Sequence, residues 1–240
     1  MARRSNAQPG RAAEGDSLPA PGGPDAARPT FSRAAWAAEI LRERILQGTY
    51  PPGERIREAE LQAEFGFSNG PIREALQMLV AQGLAERSPF QGVRVIELTD
   101  QQLLELFEVR LAILQFAAEL AACHASDEQL LNGEALRARL AAAFDAAQTS
   151  GQKLSFTGEL SHWLLRAAGN DTIARIWDQT VAQSQIYVNA SMRRGAGGDN
   201  RRLVDALIAA VMRRDVEAAR VAARDLTRRT LADLGLKGRI

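Results

Sequence analysis

The sequence predicts a mainly α protein in two parts, an N-terminal winged helix-turn-helix domain followed by an all-α bundle of about six helices. Three observations carry that prediction. Two helical runs are separated by only a few residues between Phe65 and Pro71, the spacing of a helix-turn-helix. Two short extended runs follow at once, on either side of a turn over residues 89–92. From residue 99 to Leu236 almost everything carries apolar residues at 3.6-residue spacing.

Residues 1–33 are rich in Ala, Gly, Pro, Ser and Arg and nearly devoid of large apolar side chains. Such a stretch cannot bury enough surface to offset the entropy of ordering, so it reads as a disordered tail. From Trp36 the pattern changes: Ile40, Leu41, Ile45 and Leu46 share one helical face until Gly48 ends the run. TYPPGERI is a turn leading into a short extended piece. A second helix runs from about Arg57 to Phe65 and stops at Gly66. Ser68 and Asn69 suit a helix start and Pro71 a first turn, after which Ile72, Ala75, Leu76 and Leu79 recur on one face until Gly83. The alternation in VRVIEL is that of a half-buried strand, which makes the two extended runs a wing. Thr99 or Asp100 caps the first long helix of the bundle, with breaks expected at Ser126, near Gly151, at 169–171, at 195–199 and near Asp215.

A composition of 46% hydrophobic and 25% charged residues is that of an ordinary globular protein. Cys123 is the single cysteine, which excludes an intrachain disulfide and a cysteine-built metal cluster and fits a reducing cytoplasm. No apolar run approaches the ~20 residues of a membrane span, and MARRSNAQPG lacks the apolar core of a secretory signal, so a cytoplasmic protein with no membrane partner is expected. No Walker or Rossmann glycine pattern, HExxH, GxSxG or Cys-His pair at motif spacing is present, and the reading is not an enzyme.

A helix-turn-helix lays its second helix in the DNA major groove, where residues near the helix N-terminus reach base edges. Those positions are Ser68, Asn69, Gly70 and Arg73. Arginine pairs with guanine and asparagine with adenine through two hydrogen bonds each; the alternatives are a solvated or glutamate-paired surface residue for Arg73 and a plain helix cap for Asn69. Gln91 and Gly92 form the wing tip, suited to the minor groove or to a simple hairpin. The charge balance works against this: residues 35–98 hold seven arginines against nine glutamates, a net −2, so phosphate contact requires the arginines to share one face. In the bundle, Glu159, His162, Tyr187 and Asn189 interrupt apolar helical patterns and are candidates to line a cavity or to be exposed, while His124 falls near a helix end.

The run from LRERILQGTYPPGERIREAEL through FGFSNGPIREAL to QGL resembles the DNA-binding domain of the GntR family of transcriptional regulators. EVRLAILQFAAELAA, AAGNDTIARIWD and RRDVEAARVAARDL are similar to landmarks of the helical effector domain, FCD, of its FadR-like subgroup. Together they span about residues 36–236. The resemblance implies a DNA-binding domain over 34–98, an effector-binding and dimerisation domain over 99–240, and a homodimer on double-stranded DNA with an imperfectly palindromic operator. It implies a regulator, repressor ahead of activator, controlled by a small metabolite. Ser68, Arg73 and Gly92 match the family, whereas members usually carry Arg and Thr at Asn69 and Gly70 and Arg at Gln91. A fold-retaining interaction module with weakened or lost DNA binding therefore stays open as the alternative.

Arg110 matches a family arginine on the first long helix that faces the effector site, the alternative being an ordinary salt bridge. Many FCD relatives hold a metal there with one Asp and three His, but this chain has two histidines in all. Aligned on AAGN, the family's paired ligand positions fall at Thr157 and Ser161, with His162 one residue late and so turned by about 100° on its helix, and the later two fall near Val204 and Leu226, where a slip of one brings in Asp205 or Asp225 but no third imidazole. The expectation is an effector site with no metal cofactor, in which Arg110, Thr157, Ser161 and Tyr187 bind a small carboxylate.

Overall fold

The computed structural model describes residues 32–88, 92–146, 150–193 and 200–236 and, outside 145–157 and 192–193, their side chains. The stretch read as a disordered tail lies outside the described residues except for its end. There α1 (Arg33–Gln47) begins three residues before Trp36, because the Ser32 hydroxyl accepts from the Ala35 amide at 3.1 Å and caps it. Its first turns bury Ala34, Ala37 and Ala38, small residues that a search for large apolar side chains passes over. Gly48, at φ 80°, ends α1 in the left-handed region that glycine enters without strain.

β1 (Arg55–Ile56), α2 (Glu58–Phe65), α3 (Asn69–Ala81), β2 (Ala85–Ser88) and β3 (Gly92–Val95) complete the first module. The sheet is antiparallel with β3 in the centre, Ile56 opposite Val93 and Glu86 opposite Arg94. Val93 and Val95 point into the core and Arg94 away from it, the alternation expected of a strand with one buried face. That core joins Leu41 and Ile45 of α1, Leu61 and Phe65 of α2, and Ile72, Leu76 and Leu79 of α3. Trp36, Phe65 and Phe67 meet edge-on or tilted beside it, with centroids 5.4 to 6.1 Å apart.

Six helices follow among the described residues: α4 (Asp100–His124), α5 (Asp127–Ala146), α6 (Ser150–Ala168), α7 (Asp171–Arg193), α8 (Arg201–Met212) and α9 (Val216–Asp233). Thr99 opens α4 with a capping box, its hydroxyl accepting from the Gln102 amide while the Gln102 side chain accepts from its own. α4 is the central helix, buried on Leu114, Ala117, Ala118 and Ala121 against α6, α8 and α9. The expected breaks at Ser126, 169–171 and Asp215 are present, while those near Gly151 and at 195–199 fall wholly or partly outside the described residues. α7 packs on both parts of the molecule: Ile186 is buried in the core of the first module, while Trp177 belongs to the core of the bundle.

Candidate functional site

The N-terminus of α3 faces solvent. Ser68 makes no side-chain capping bond, Asn69 and Gly70 are exposed, and a Cβ added at Gly70 would meet nothing within 4 Å. First-turn amides of a helix presented in this way suit a phosphate. Arg73 lies one turn further along the same exposed face, with its side chain 60% exposed and Nε 3.0 Å from Glu58 Oε2. The ion-paired alternative is thus the one observed, but an exposed pair of this kind is weak and exchanges readily for another partner. Glu39, Glu60 and Glu64 are likewise paired, with Arg42, Arg57 and Arg44. Each of these pairs takes one arginine for one glutamate, so the net −2 of residues 35–98 stands.

Gly92, at φ 82°, starts β3 at the wing, and Gln91 lies outside the described residues. A Cβ on Gly92 would come within 3.8 Å of the Arg55 guanidinium. Arg55 is exposed and reaches the wing because β1 pairs with β3. Sequence reading missed this arginine, since a two-residue strand gives no periodic signal of what it pairs with.

The bundle encloses a cavity of about 250 Å³ between α4, α6, α7 and α9. Arg110 lines it from α4. Its guanidinium carbon lies 3.9 Å from the centroid of the Trp177 ring, and Nη1 donates to the Thr180 hydroxyl at 3.2 Å. No carboxylate pairs with it among the described residues. Burial pulls its pKa down to about 10, so it remains a cation at neutral pH. Asp178 and Asp233 also line the cavity, but neither pairs with Arg110, and a desolvated guanidinium with π and hydroxyl neighbours and no bound carboxylate is a natural seat for an anion.

Ser161 is buried and lines the cavity as expected, and His162 stands beside it on the exposed side. The 100° separating them does not exclude either, because the cavity is broad enough to take both. The side chain of Thr157 lies outside those described. Tyr187 is corrected: it does not line the cavity. Its hydroxyl accepts from the Leu98 amide, it packs against the first module's core, and burial raises its pKa. Asn189 donates to the Leu46 carbonyl at 3.0 Å, and Glu159 pairs with Arg139 on the outside. His124 is exposed at the end of α4.

The family's metal-ligand positions do not fit a metal. Leu226, apolar and 4% exposed, and Ser161, a neutral hydroxyl, line the cavity where transition metals favour imidazole and carboxylate, while Val204, apolar as well, lies away from it between α5 and α8. Among the described residues no group of three His, Cys, Asp or Glu side chains could hold an ion.

α7 connects the two sites. Trp177, Val181, Ser184 and Val188 face the cavity, while Ile186, Tyr187 and Asn189 pack on the first module and the strand leading out of it. Gln183 lies over the end of the α3 turn, where a Cβ on Gly83 would sit 2.7 Å from its Nε2. Glycine is required there twice over, since its φ is also +71°.

A winged helix-turn-helix joined through one shared helix to a bundle with a charged cavity defines a DNA-binding regulator with an effector domain. Residues 34–95 match the family described as bacterial regulatory proteins, gntR family, and residues 105–229 match the FCD domain. The chain belongs to the GntR family and carries an FCD domain behind its DNA-binding module. It is similar to the uncharacterized HTH-type transcriptional regulator YdhC of Bacillus subtilis (strain 168), 38% identical over 90 residues, covering 38% of this chain and 40% of that protein. It is also similar to the gluconate operon transcriptional repressor of Bacillus licheniformis, 28% identical over 167 residues, with 68% of each chain covered. The first alignment thus spans two fifths of the relative's length and the second about two thirds. The fold is shared with E. coli McbR/YncC at a TM-score of 0.70 and 20% identity, covering 86% of this chain and 98% of that one.

Proposed function

We propose that the protein is a homodimeric, sequence-specific transcriptional repressor. A small carboxylate, held at Arg110 without a metal, changes its grip on an imperfectly palindromic operator in the cytoplasm. The observation that carries this reading is the double role of α7: a ligand beside Trp177 and Ser184 presses on the same helix that supports α1 and the end of α3. A ligand that binds one arrangement of the two modules more tightly shifts the population toward it, and with it the spacing of two recognition helices. The sign of regulation is supported by the repressor title of the Bacillus licheniformis relative. Ser68, Asn69, Gly70, Arg73, Gln91 and Gly92 form the proposed reading surface, joined by Arg55; Arg110, Ser161 and Thr157 belong to the proposed effector site.

The experiment is selection of a binding site from random duplex DNA, followed by titration of the selected complex with small carboxylates. The expected result is a two-fold related site whose binding weakens steeply with salt and is released by at least one acid. A second reading, an interaction module that no longer reads DNA, is favoured by one observation, the Arg73–Glu58 ion pair. Failure to enrich any sequence, with binding independent of salt, would select that reading.

A further inference from the structure

Five polar residues are buried among those described, Ser161, Ser184, Ser191, Asn200 and Thr227, and all five line the cavity that holds Arg110. Their gathering there is not a by-product of core packing, because the remainder of the buried set is hydrophobic. Three of the hydroxyls already donate to backbone carbonyls: Ser184 to Val181 at 2.9 Å, Thr227 to Ala223 at 3.0 Å, and Ser191 to Asp233. Their unused capacity is as acceptors.

Asn200 is the exception. It occupies the N-cap position of α8, where an asparagine side chain ordinarily accepts from first-turn amides, yet it makes no capping bond. It is instead turned inward, 8% exposed, and its Oδ1 has no hydrogen-bond partner. Buried polar atoms are almost always paired. Breaking the capping rule and the pairing rule at one residue is the pattern expected where function rather than folding sets a side chain.

We infer that Asn200 is a specificity-determining contact of the effector site, and that the effector is a small hydroxylated carboxylate with its anionic end on Arg110 and a hydroxyl on Asn200. The inference rests on the proposed reading of the cavity as a carboxylate site. A hydroxyl is donor and acceptor at once and so satisfies either end of the amide, and further hydroxyls meet the acceptor row of Ser184, Ser191 and Thr227. A plain alkyl acid leaves Oδ1 unpaired in its complex, and a site built to bond a hydroxyl discriminates strongly against the analogue lacking it. A carboxylate-free polyol leaves Arg110 without its counter-charge.

The test is calorimetric titration of the full chain, without DNA, with matched compounds: glycerate and gluconate, their parents propionate and hexanoate, the polyols glycerol and glucitol, and the amino acids alanine and norleucine. At least one hydroxy acid should bind about tenfold or more tightly than its parent, with no binding by the polyols. In Asn200→Leu that preference should fall to within about twofold while the parent acid binds as before. The melting temperature of Asn200→Leu without ligand should be unchanged or higher, because an apolar group replaces an unpaired polar one; a merely structural Asn200 would lower it. Asn200→Ala gives the same readout should leucine prevent folding. The inference is overturned if no hydroxy acid outbinds its parent, if an amino analogue outbinds both, or if the preference survives in both variants. Tight binding of a hydroxy acid without operator release would leave the inference standing and sink the proposed regulation; release by a plain acid alone would do the reverse.

Discussion

A guanidinium buried without a carboxylate partner costs stability wherever it is charged, and Arg110, drawn by desolvation down from its ordinary value to about 10, is charged at every pH below that. Between those two values the unfolded chain binds more protons than the folded one, so stability rises with pH there, and below about 10 the full cost applies. At neutral pH it is roughly 3 kcal/mol, offset in part by the Trp177 face. Arg110→Met should therefore raise the melting temperature of the effector-free protein by a few degrees, and the same variant should lose carboxylate affinity about 100-fold. Differential scanning calorimetry and titration check the two halves; a lower melting temperature would mean that Arg110 is a structural residue. Carboxylate affinity of the unaltered protein should be level from pH 6 to 9 and fall as pH rises through about 10. On the DNA side, Arg73→Ala should weaken specific binding by roughly 1 to 3 kcal/mol and relax preference at one base pair. Wild-type affinity and specificity in a gel-shift series would leave Arg73 as nothing more than the partner of Glu58.

At the scale of the element, α7 decides whether the two modules respond to one another. Its cavity face and its module face are different sides of one stiff helix, so a displacement on one side reaches the other without a hinge between them. Asn189 is the cleanest place to interrupt this, since its amide reaches only the Leu46 carbonyl of α1 and is absent from the cavity lining. Asn189→Ala should leave effector affinity within about twofold and reduce the effector-induced change in operator affinity by about threefold or more, a coupling loss of order 0.5 to 2 kcal/mol. Fluorescence anisotropy of labelled operator, with and without effector, measures that difference directly. Unchanged coupling would move the connection to the 96–99 segment and its Tyr187 bond.

For the whole molecule, a single recognition helix covers only half of a two-fold site, so the proposed repression requires a second copy. α4 carries an exposed apolar stripe on which Val109 and Phe116 are 50% and 45% exposed, with Ala112 and Ile113 between them. Such a stripe on a charged, soluble-type surface suits an isologous contact. Phe116→Glu should shift the protein from dimer to monomer in sedimentation at micromolar concentration and weaken operator binding by at least tenfold, while single half-site binding persists. A dimer that survives this change would place the interface elsewhere on the bundle. Protein purified without a histidine tag should carry well under one equivalent of zinc, nickel or manganese, because Ser161 and Leu226 line the cavity where a metal site needs imidazole.

The order and type of the elements were legible in the sequence because they rest on local rules: Thr99 as a cap, Gly48 and Gly66 as stops, alternation across Val93 and Val95, and a 3.6-residue stripe through α4. The proposed recognition surface follows from the same local rules, since Ser68 to Arg73 form one helix start. Of the residues the sequence proposes for the effector site, Arg110 and Ser161 line the cavity. Tyr187 was misplaced because helical spacing tells which residues share a face and not which neighbour that face meets. Asn200 was invisible as a functional residue, since an asparagine before a helix reads as a cap, and only the packed structure turns its amide inward and leaves it unpaired. Local sequence determined the helices and the wing; long-range packing decided which side of α7 faces the cavity and which supports the DNA-binding module.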